Sequence, residues 1–274
     1  LWPEHPLGRD IAGSKESVAT ISRDMLLDYL ATQYQPSNTV IAIAGDIRPQ
    51  EIVTTVSQTL GNWTNQSPHP GYSAYKRQPN RRLRIETREM EQVHLCLALP
   101  GLSLLHPKRF SLDLLNVILG EGMSSRLFTE IRDKLGLAYS IHSYAEHLLD
   151  TGTFTVSAGV ETVNVQIAIK AILEQLARLK ETVPESELTK AKEYSKGHLL
   201  LRMEDSRSVA GWMGGQEILA GRILGVDEVI SIIDAITAEE LQQLAQELFT
   251  SDQLRLAIVG SVQHNEPLEE LLKL

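Results

Sequence analysis

The sequence has little cysteine, a deficit of basic residues and no long apolar run. Its single cysteine, Cys96, excludes a disulfide within the chain and leaves the redox compartment open. No stretch approaches the ~18 consecutive apolar residues from which a transmembrane helix is inferred, so we expect no membrane insertion. The 26 basic residues are outnumbered by 35 acidic ones, and the formal charge of −9 argues against binding to nucleic acid or to an anionic membrane.

Motifs for phosphate and for metal are also lacking. The "GEG" at residues 120–122 is not followed by the lysine of a P-loop, and no dinucleotide-binding fingerprint follows a strand. The nearest approach to a zinc motif is "HSYAEH", in which His142 and His147 are five residues apart in a strand-like run. Residues five apart on a strand point to opposite faces, so we predict no metal site in this chain. His94 and Cys96 share a strand face but do not converge, and we interpret Cys96 as a small core residue.

An internal repeat is the main pattern that is present. Residues Ile21 to Ile47 align without a gap to residues Ile236 to Val262. In each copy a Ser or Thr helix cap precedes an acid in the first turn, and an amphipathic helix runs to an aromatic residue. A polar turn then leads into an apolar strand that ends at glycine. Only five aligned positions are identical, and the alternative is two unrelated helix–strand units.

If the repeat is real, its copies mark the ends of two similar domains, of which the first has lost most of its N-terminal part. The opening "LWPEHPLGRD" includes neither an initiator methionine nor a signal peptide. We assign residues 1–64 to the remnant of the first domain, residues 65–80 to a linker rich in Pro, Gly, Ser and Asn, and residues 81–274 to a complete second domain. Paired strands and runs of helices predict an α+β fold, in which each domain has a largely antiparallel sheet with helices on one face.

One helix–turn–strand stretch of the second domain has two side chains that packing does not require. "SSRLFTEIRDKL" predicts a helix that is capped by Ser124 or Ser125 and stopped by Gly136, and the strand after it is expected to form a hairpin with "GTFTVSAGV". Arg132 and Tyr139 flank this turn and could both donate hydrogen bonds to a peptide carbonyl or a developing oxyanion. Alternatively, Arg132 satisfies carbonyl groups at the helix end and Tyr139 packs at the sheet margin. Spacing alone favours this second interpretation.

The same stretch, together with "DTGTFTVSAGV", resembles the C-terminal domain of the insulinase–pitrilysin–mitochondrial processing peptidase family of zinc metallopeptidases. The stretch from His5 to Ile47 resembles the closing part of that family's N-terminal domain. The resemblance implies two similar α+β domains that face each other across a chamber for unfolded peptide. It also implies a zinc ion held by H-x-x-E-H and a later Glu in the N-terminal domain. This sequence has no H-x-x-E-H, so we assign it no metal ligand and expect zinc only in the missing N-terminal part.

The resemblance also gives Arg132 and Tyr139 a role. The family's C-terminal domain contributes an Arg and a Tyr, with six residues between them, that reach the substrate near the scissile bond. Arg132 and Tyr139 match this spacing in the same helix–turn–strand context. We therefore expect Arg132 to orient the peptide and Tyr139 to donate to the tetrahedral oxyanion, as catalytic and substrate-binding residues. Without zinc ligands or a general base, the chain alone is expected to be inactive.

Three functional hypotheses follow. In the first, the chain is the C-terminal part of a zinc metalloendopeptidase that takes unfolded peptide and works with the missing N-terminal domain. In the second, it is a non-catalytic family member that acts as the partner or structural core subunit of a motif-bearing homologous subunit, in a homo- or heterodimer. In the third, it is a peptide-binding or chaperone-like module that uses an exposed sheet edge. The natural substrate and the compartment, cytoplasm or periplasm, stay open.

Overall fold

The computed structural model describes residues 1–2, 5–64, 82–262 and 268–274. Contacts within the chain divide it into two compact units. One, here called the sheet unit, comprises Leu1, residues 77–198 and residues 226–274. The other, called the helical unit, comprises residues 2–76 and 199–225. The predicted linker, residues 65–80, lies outside the described residues.

The strands within the described residues form a single five-stranded sheet. They are β1 (Leu83–Thr87), β2 (Val93–Pro100), β3 (Ala138–His147), β4 (Gly152–Val160) and β5 (Arg255–Gly260). Their order is β1–β5–β2–β4–β3, in which β1 and β5 are parallel and every other neighbouring pair is antiparallel. The prediction of a largely antiparallel sheet in an α+β fold is confirmed, as is the β3–β4 hairpin.

Helices occupy most of the remaining described chain, and in none of them is an apolar stretch long enough to cross a bilayer. In chain order they are α1 (Lys15–Ala19), α2 (Arg23–Gln33), α3 (Pro49–Leu60), α4 (Arg109–Gly120), a π-helix (Leu127–Lys134), α5 (Val165–Arg178), α6 (Glu185–Arg202), α7 (Ser206–Ala220), α8 (Val226–Ala235) and α9 (Ala238–Leu248).

The core of the sheet unit lies between one face of the sheet and its helices. Successive side chains of a strand alternate between faces, and in β2 the residues at odd positions are fully buried while His94 is exposed. Buried leucines of α4 and isoleucines of α5 cover this face. Each such side chain contributes roughly 1.5–3 kcal/mol by leaving water. The helices on this face therefore fix the strands, and β2 and β3 present other side chains, such as His94 and His142, to solvent.

The two copies of the repeat have the same local structure. The caps Ser22 and Thr237 each accept a hydrogen bond from the backbone N–H three residues on, at 3.2 Å in both. Helices α2 and α9 are each 11 residues long and end at Tyr34 and Phe249, with φ/ψ of −90°/86° and −91°/77°. Even the closing glycine is matched, since φ is 146° at Gly45 and 149° at Gly260.

Burial of the two copies differs sharply. Leu241 and Phe249 are fully buried in the second copy, whereas their counterparts Leu26 and Tyr34 are 54% and 60% exposed. The predicted strand of the first copy is also not formed: residues 40–44 have no regular secondary structure, and residues 5–64 contain no strand. A strand needs neighbours that satisfy its backbone N–H and C=O groups. β5 has neighbours on both sides, and the described residues give none to the first copy.

Candidate functional site

Arg132 lies on a π-helix rather than on the α-helix that the sequence predicts. The helix closes with the N–H of Leu135 donating to the Glu130 carbonyl, five residues back, at 3.1 Å. Leu127 and Ile131 are fully buried and anchor its inner side. Such π-turns carry a cost in backbone geometry and are frequent at functional sites. The change of helix type matters here because it alters the direction in which each outward side chain points.

The predicted serine cap of this helix is wrong. The Ser125 hydroxyl donates to the Gly122 carbonyl at 2.8 Å, and the start of the helix has no side-chain cap. A partly buried ion pair joins this end of the helix to α6 instead. Arg126 Nε lies 2.8 Å from Glu187 Oε2, and only 12% of the Arg126 side chain is exposed. Tertiary contact, and not a local cap, therefore holds the start of the π-helix.

Tyr139 is placed by a chain reversal and a bulge. Gly136 has φ +61°, a left-handed conformation that side chains disfavour, and it ends the π-helix as the sequence predicts. β3 then begins at Ala138, which pairs with Val160, but Ser140 already pairs with Gly159. Tyr139 is thus the extra residue of a bulge, a feature that redirects a side chain out of the regular ladder. Its side chain is 74% exposed.

Both predicted site residues keep their hydrogen-bond donors uncommitted within the described part of the chain. Arg132 is exposed, and its guanidinium makes a cation–π contact with Phe128, whose ring centroid is 4.8 Å from the guanidinium carbon. Glu130, an acid of the same helix, is bonded instead to Lys134 at 2.7 Å. The alternative role of Arg132, donation to carbonyls at the helix end, has no hydrogen bond to support it in these residues. The two side chains flank the reversal at Gly136 and face solvent.

A partly buried polar network in the same unit was not anticipated from the sequence. The Ser143 hydroxyl donates to Asn116 Oδ1 at 2.6 Å, and Asn116 Nδ2 donates to Glu121 Oε2 at 3.0 Å. Burial and the charge and hydrogen bond of Glu121 raise the pKa of Tyr194. The network links β3, α4 and α6 to the loop that precedes the π-helix. A polar residue at a helix or strand position gives no sign of its partner, so only the fold could reveal the network.

The histidines that the structure describes do not form a zinc site. In the described ranges, no three His, Cys, Asp or Glu side chains lie close enough to hold a metal. His147 has both ring nitrogens engaged, Nδ1 at 2.7 Å from the Leu102 carbonyl oxygen and Nε2 at 3.1 Å from Asp113 Oδ1. His142 lies on the exposed face of β3 and stacks with Tyr144. Because both of its ring nitrogens are engaged, His147 is not available to share a metal ion with His142.

Cys96 does not have the environment of a nucleophile. It is half-buried, and this burial raises the pKa of its thiol. A raised pKa means less thiolate, the reactive form, at neutral pH. The interpretation of Cys96 as a small packing residue on β2 agrees with this environment.

Comparisons of sequence place the chain among peptidases. Residues 20–194, more than half of the chain, match the family described as "Peptidase M16 inactive domain". The chain is 34% identical over 252 residues to the uncharacterized zinc protease YmxG of Bacillus subtilis, covering 92% of this chain and 61% of that protein. It is 31% identical over 280 residues to an uncharacterized zinc protease of Mycobacterium leprae, covering 100% and 62%. The chain thus spans about three fifths of the length of these relatives.

Solved structures share the fold. A peptidase M16 inactive domain from Pseudomonas fluorescens superimposes with a TM-score of 0.87 at 22% identity, over 98% of this chain and 64% of that one. A protease from Helicobacter pylori gives 0.84 at 22% identity, over 90% and 61%. A chain of complex III2 from Candida albicans gives 0.84 at 18% identity, over 99% and 66%. Taken with the sequence matches, these likenesses show that the chain belongs to the peptidase M16 family of zinc metallopeptidases.

Proposed function

We propose that this chain binds an unfolded peptide through Arg132 and Tyr139, for cleavage by a zinc-bearing domain of the same family. The observation that carries the proposal is the pair of exposed, uncommitted donors on either side of Gly136. One is presented by a π-helix and the other by a bulge, and both are irregularities that recur at functional sites. A structural role would instead engage these donors with backbone carbonyls of the chain.

The two side chains suit different moments of peptide cleavage. The Arg132 guanidinium presents several N–H groups in one plane, which fits the carbonyl oxygens of an extended peptide and would orient it. The Tyr139 hydroxyl is a single neutral donor that would stabilise the negative oxygen of the tetrahedral intermediate. Removal of one such donor typically costs about 10²–10³ in turnover. Both roles concern the substrate and leave activation of water to another domain.

Zinc chemistry is proposed to come from outside this chain. Zinc would supply polarisation of the peptide carbonyl and activation of water, and the described residues do not fit the ion. The alignments leave about two fifths of the length of these zinc protease relatives unmatched by this chain. We therefore propose that the zinc ligands and the general base lie in that unmatched length, or in a motif-bearing homologous subunit.

The helical unit supports the need for such a partner. Its α2 and residues 40–44 expose apolar side chains at positions whose repeat counterparts are buried in the sheet unit. A domain of the same fold, with strands for the unpaired residues 40–44, would cover them. We propose that this domain is the zinc-bearing one, which would place the peptide site of this chain and the zinc in the same assembly.

The test is peptide cleavage by the chain combined with a zinc-bearing N-terminal domain, in one polypeptide or as a separate subunit. With a quenched fluorescent peptide, we expect Tyr139→Phe to lower kcat by about 10²-fold and Arg132→Ala to raise KM. Both residues are exposed, so the unfolding midpoint should not change. Tyr144→Phe is the matched control, because Tyr144 lies on the same strand with its side chain partly exposed, and its kinetics should equal those of the wild type.

Two outcomes would contradict the proposal. Unchanged kinetics in both the Arg132 and the Tyr139 variants would assign the pair to surface structure. Stoichiometric, tight zinc binding and peptide cleavage by this chain alone would contradict the proposal that zinc comes from another domain.

The likeness to a chain of complex III2 favours a second candidate, a non-catalytic core subunit. That candidate predicts stable association with a partner but no gain of cleavage for any motif-bearing family member.

A further inference from the structure

The orientation of Arg132 depends on a neighbour that the proposed function does not use. Phe128 lies one turn before Arg132, and the guanidinium carbon is over its ring at 4.8 Å from the centroid. The ring is half-buried, and the adjacent Leu127 and the nearby Ile131 are fully buried. The backbone that carries the ring is therefore held by the core, while part of the ring is left at the surface to support the arginine.

This stacking leaves the hydrogen-bonding edge of the guanidinium open. The N–H groups of arginine lie in the plane of the guanidinium, so a ring that covers one face does not block them. A cation over an aromatic face is attracted by the ring's negative charge density. Arg132 makes no ion pair with any residue that the structure describes, and Glu130 is held by Lys134. The contact with Phe128 thus orients the charge without neutralising it.

A second pair of the same kind has a different use. Arg109 lies over the Phe110 ring at 4.5 Å, but its Nη1 also donates to the Leu104 carbonyl. That arginine is engaged in holding a loop, and Phe110, like Phe128, is half-buried. Both arginines lie over a phenylalanine ring, but only Arg132 keeps its N–H groups available to a ligand.

We infer that Phe128 is a positioning residue, which holds the Arg132 guanidinium with its N–H edge open to the oxygen atoms of a bound peptide. The inference rests on the proposed function for its ligand. The orientation itself is a property of the free protein. Loss of the ring would let the arginine side chain sample several rotamers, and the cost of ordering it again would appear as weaker binding.

The test uses the full 274-residue chain and a fluorescently labelled unfolded peptide, with binding measured by anisotropy. Phe128→Leu keeps apolar volume but removes the ring, and it should weaken binding by about two- to fivefold. Phe128→Tyr keeps the ring and should bind like the wild type. Phe110→Leu removes the matched ring elsewhere and should also leave binding unchanged. In an Arg132→Ala background, Phe128→Leu should have no further effect.

Nuclear magnetic resonance of the free protein tests the orientation without any peptide. A ring over the guanidinium shifts the Arg132 side-chain proton signals upfield, and this shift should disappear in Phe128→Leu but persist in Phe110→Leu. Identical Arg132 signals in the wild type and in Phe128→Leu would overturn the inference. Weaker peptide binding caused by Phe128→Leu in the Arg132→Ala background would also overturn it. A wild-type chain that binds no peptide but shows the shifted signals would contradict the proposed function and leave the positioning by Phe128 intact.

Discussion

Three polar residues near strand or helix ends have different surroundings: Arg132, Tyr139 and His147. The first two face solvent with donors that the described residues do not engage. His147 has a side chain that is 12% exposed, with both ring nitrogens bonded to acceptors. Uncommitted exposed donors suit a ligand, whereas a saturated buried imidazole suits the fold. We therefore expect substitutions at these positions to separate into effects on activity and effects on stability.

The stability contributed by His147 should depend on pH. Burial and the charge of Arg109 lower the pKa of His147. The hydrogen bond and charge of Asp113 and the hydrogen bond to the Leu102 carbonyl raise it by more, so the pKa is raised overall. The contribution of the imidazolium is therefore complete below the ordinary value of about 6.5 and is lost as pH rises through the higher folded-state pKa. His147→Gln should cost roughly 1.5–3 kcal/mol at acidic pH and less at alkaline pH.

Denaturant unfolding of the wild type and of His147→Gln at several pH values between about 5 and 9 measures this difference. His142→Gln serves as the control, since the His142 ring lies on the exposed face of β3. A difference between the wild type and His147→Gln that stays constant across this range would rule out the protonated imidazole as its source.

At the scale of secondary structure, irregular elements position the candidate site. The π-helix and the bulge at Tyr139 each shift one side chain from where a regular element would direct it. The left-handed Gly136 joins them. The π-helix also contributes Leu127 and Ile131 to the core, so its inner side is fixed while its outer side presents Arg132. The concentration of these irregularities within residues 127–140 is what distinguishes this stretch from the rest of the sheet unit.

Gly45 and Gly260 close the two copies of the repeat, and they test how tertiary contact changes the cost of adding a side chain there. Both have φ near +150°, so alanine is strained at either position by about 1–3 kcal/mol. At Gly260 a Cβ would also lie 2.9 Å from the Val93 backbone, whereas at Gly45 nothing lies within 4 Å. Gly260→Ala should therefore lower the free energy of unfolding more than Gly45→Ala, as measured in urea. Equal losses of unfolding free energy at the two positions would contradict a tight contact between Gly260 and Val93.

At the scale of the whole molecule, one repeat has two different environments. The second copy is packed in a sheet with helices, and the first copy exposes the same apolar pattern within the helical unit. Exposed apolar patches of this kind mark interaction surfaces. The proposed zinc-bearing domain would remove the difference between the copies.

Leu26 and Leu241 test this idea, because they are the same residue at equivalent positions of the repeat. Leu241→Ala creates a cavity in a closed core and should cost about 2–5 kcal/mol. Leu26→Ala should cost less than about 0.5 kcal/mol in this chain alone, because the side chain is already exposed. With the zinc-bearing domain present, Leu26→Ala should approach the cost of Leu241→Ala. A Leu26 variant that stays neutral in the combined protein would contradict the proposed interface.

Features that depend on neighbours in the chain were readable from the sequence. The caps Ser22 and Thr237, the ends of α2 and α9, the stop at Gly136 and the β3–β4 hairpin all rest on contacts within a few residues. The absence of a zinc motif and the assignment to a peptidase family were also legible, because both are properties of order and spacing. The caps, the helix ends, the glycine stop and the hairpin agree with the structure, and the family agrees with the comparisons.

Tertiary structure decided what local pattern leaves undetermined. It replaced the expected α-helix by a π-helix, removed the expected serine cap in favour of the Arg126–Glu187 pair, and set Phe128 against Arg132. Among the residues that the structure describes, it also gives residues 40–44 no strand partner, although their sequence matches that of β5. The physical reason is common to all of these. Burial, strand pairing and ion pairing require a second segment, and a sequence pattern specifies the surface that one segment offers without specifying what comes to cover it.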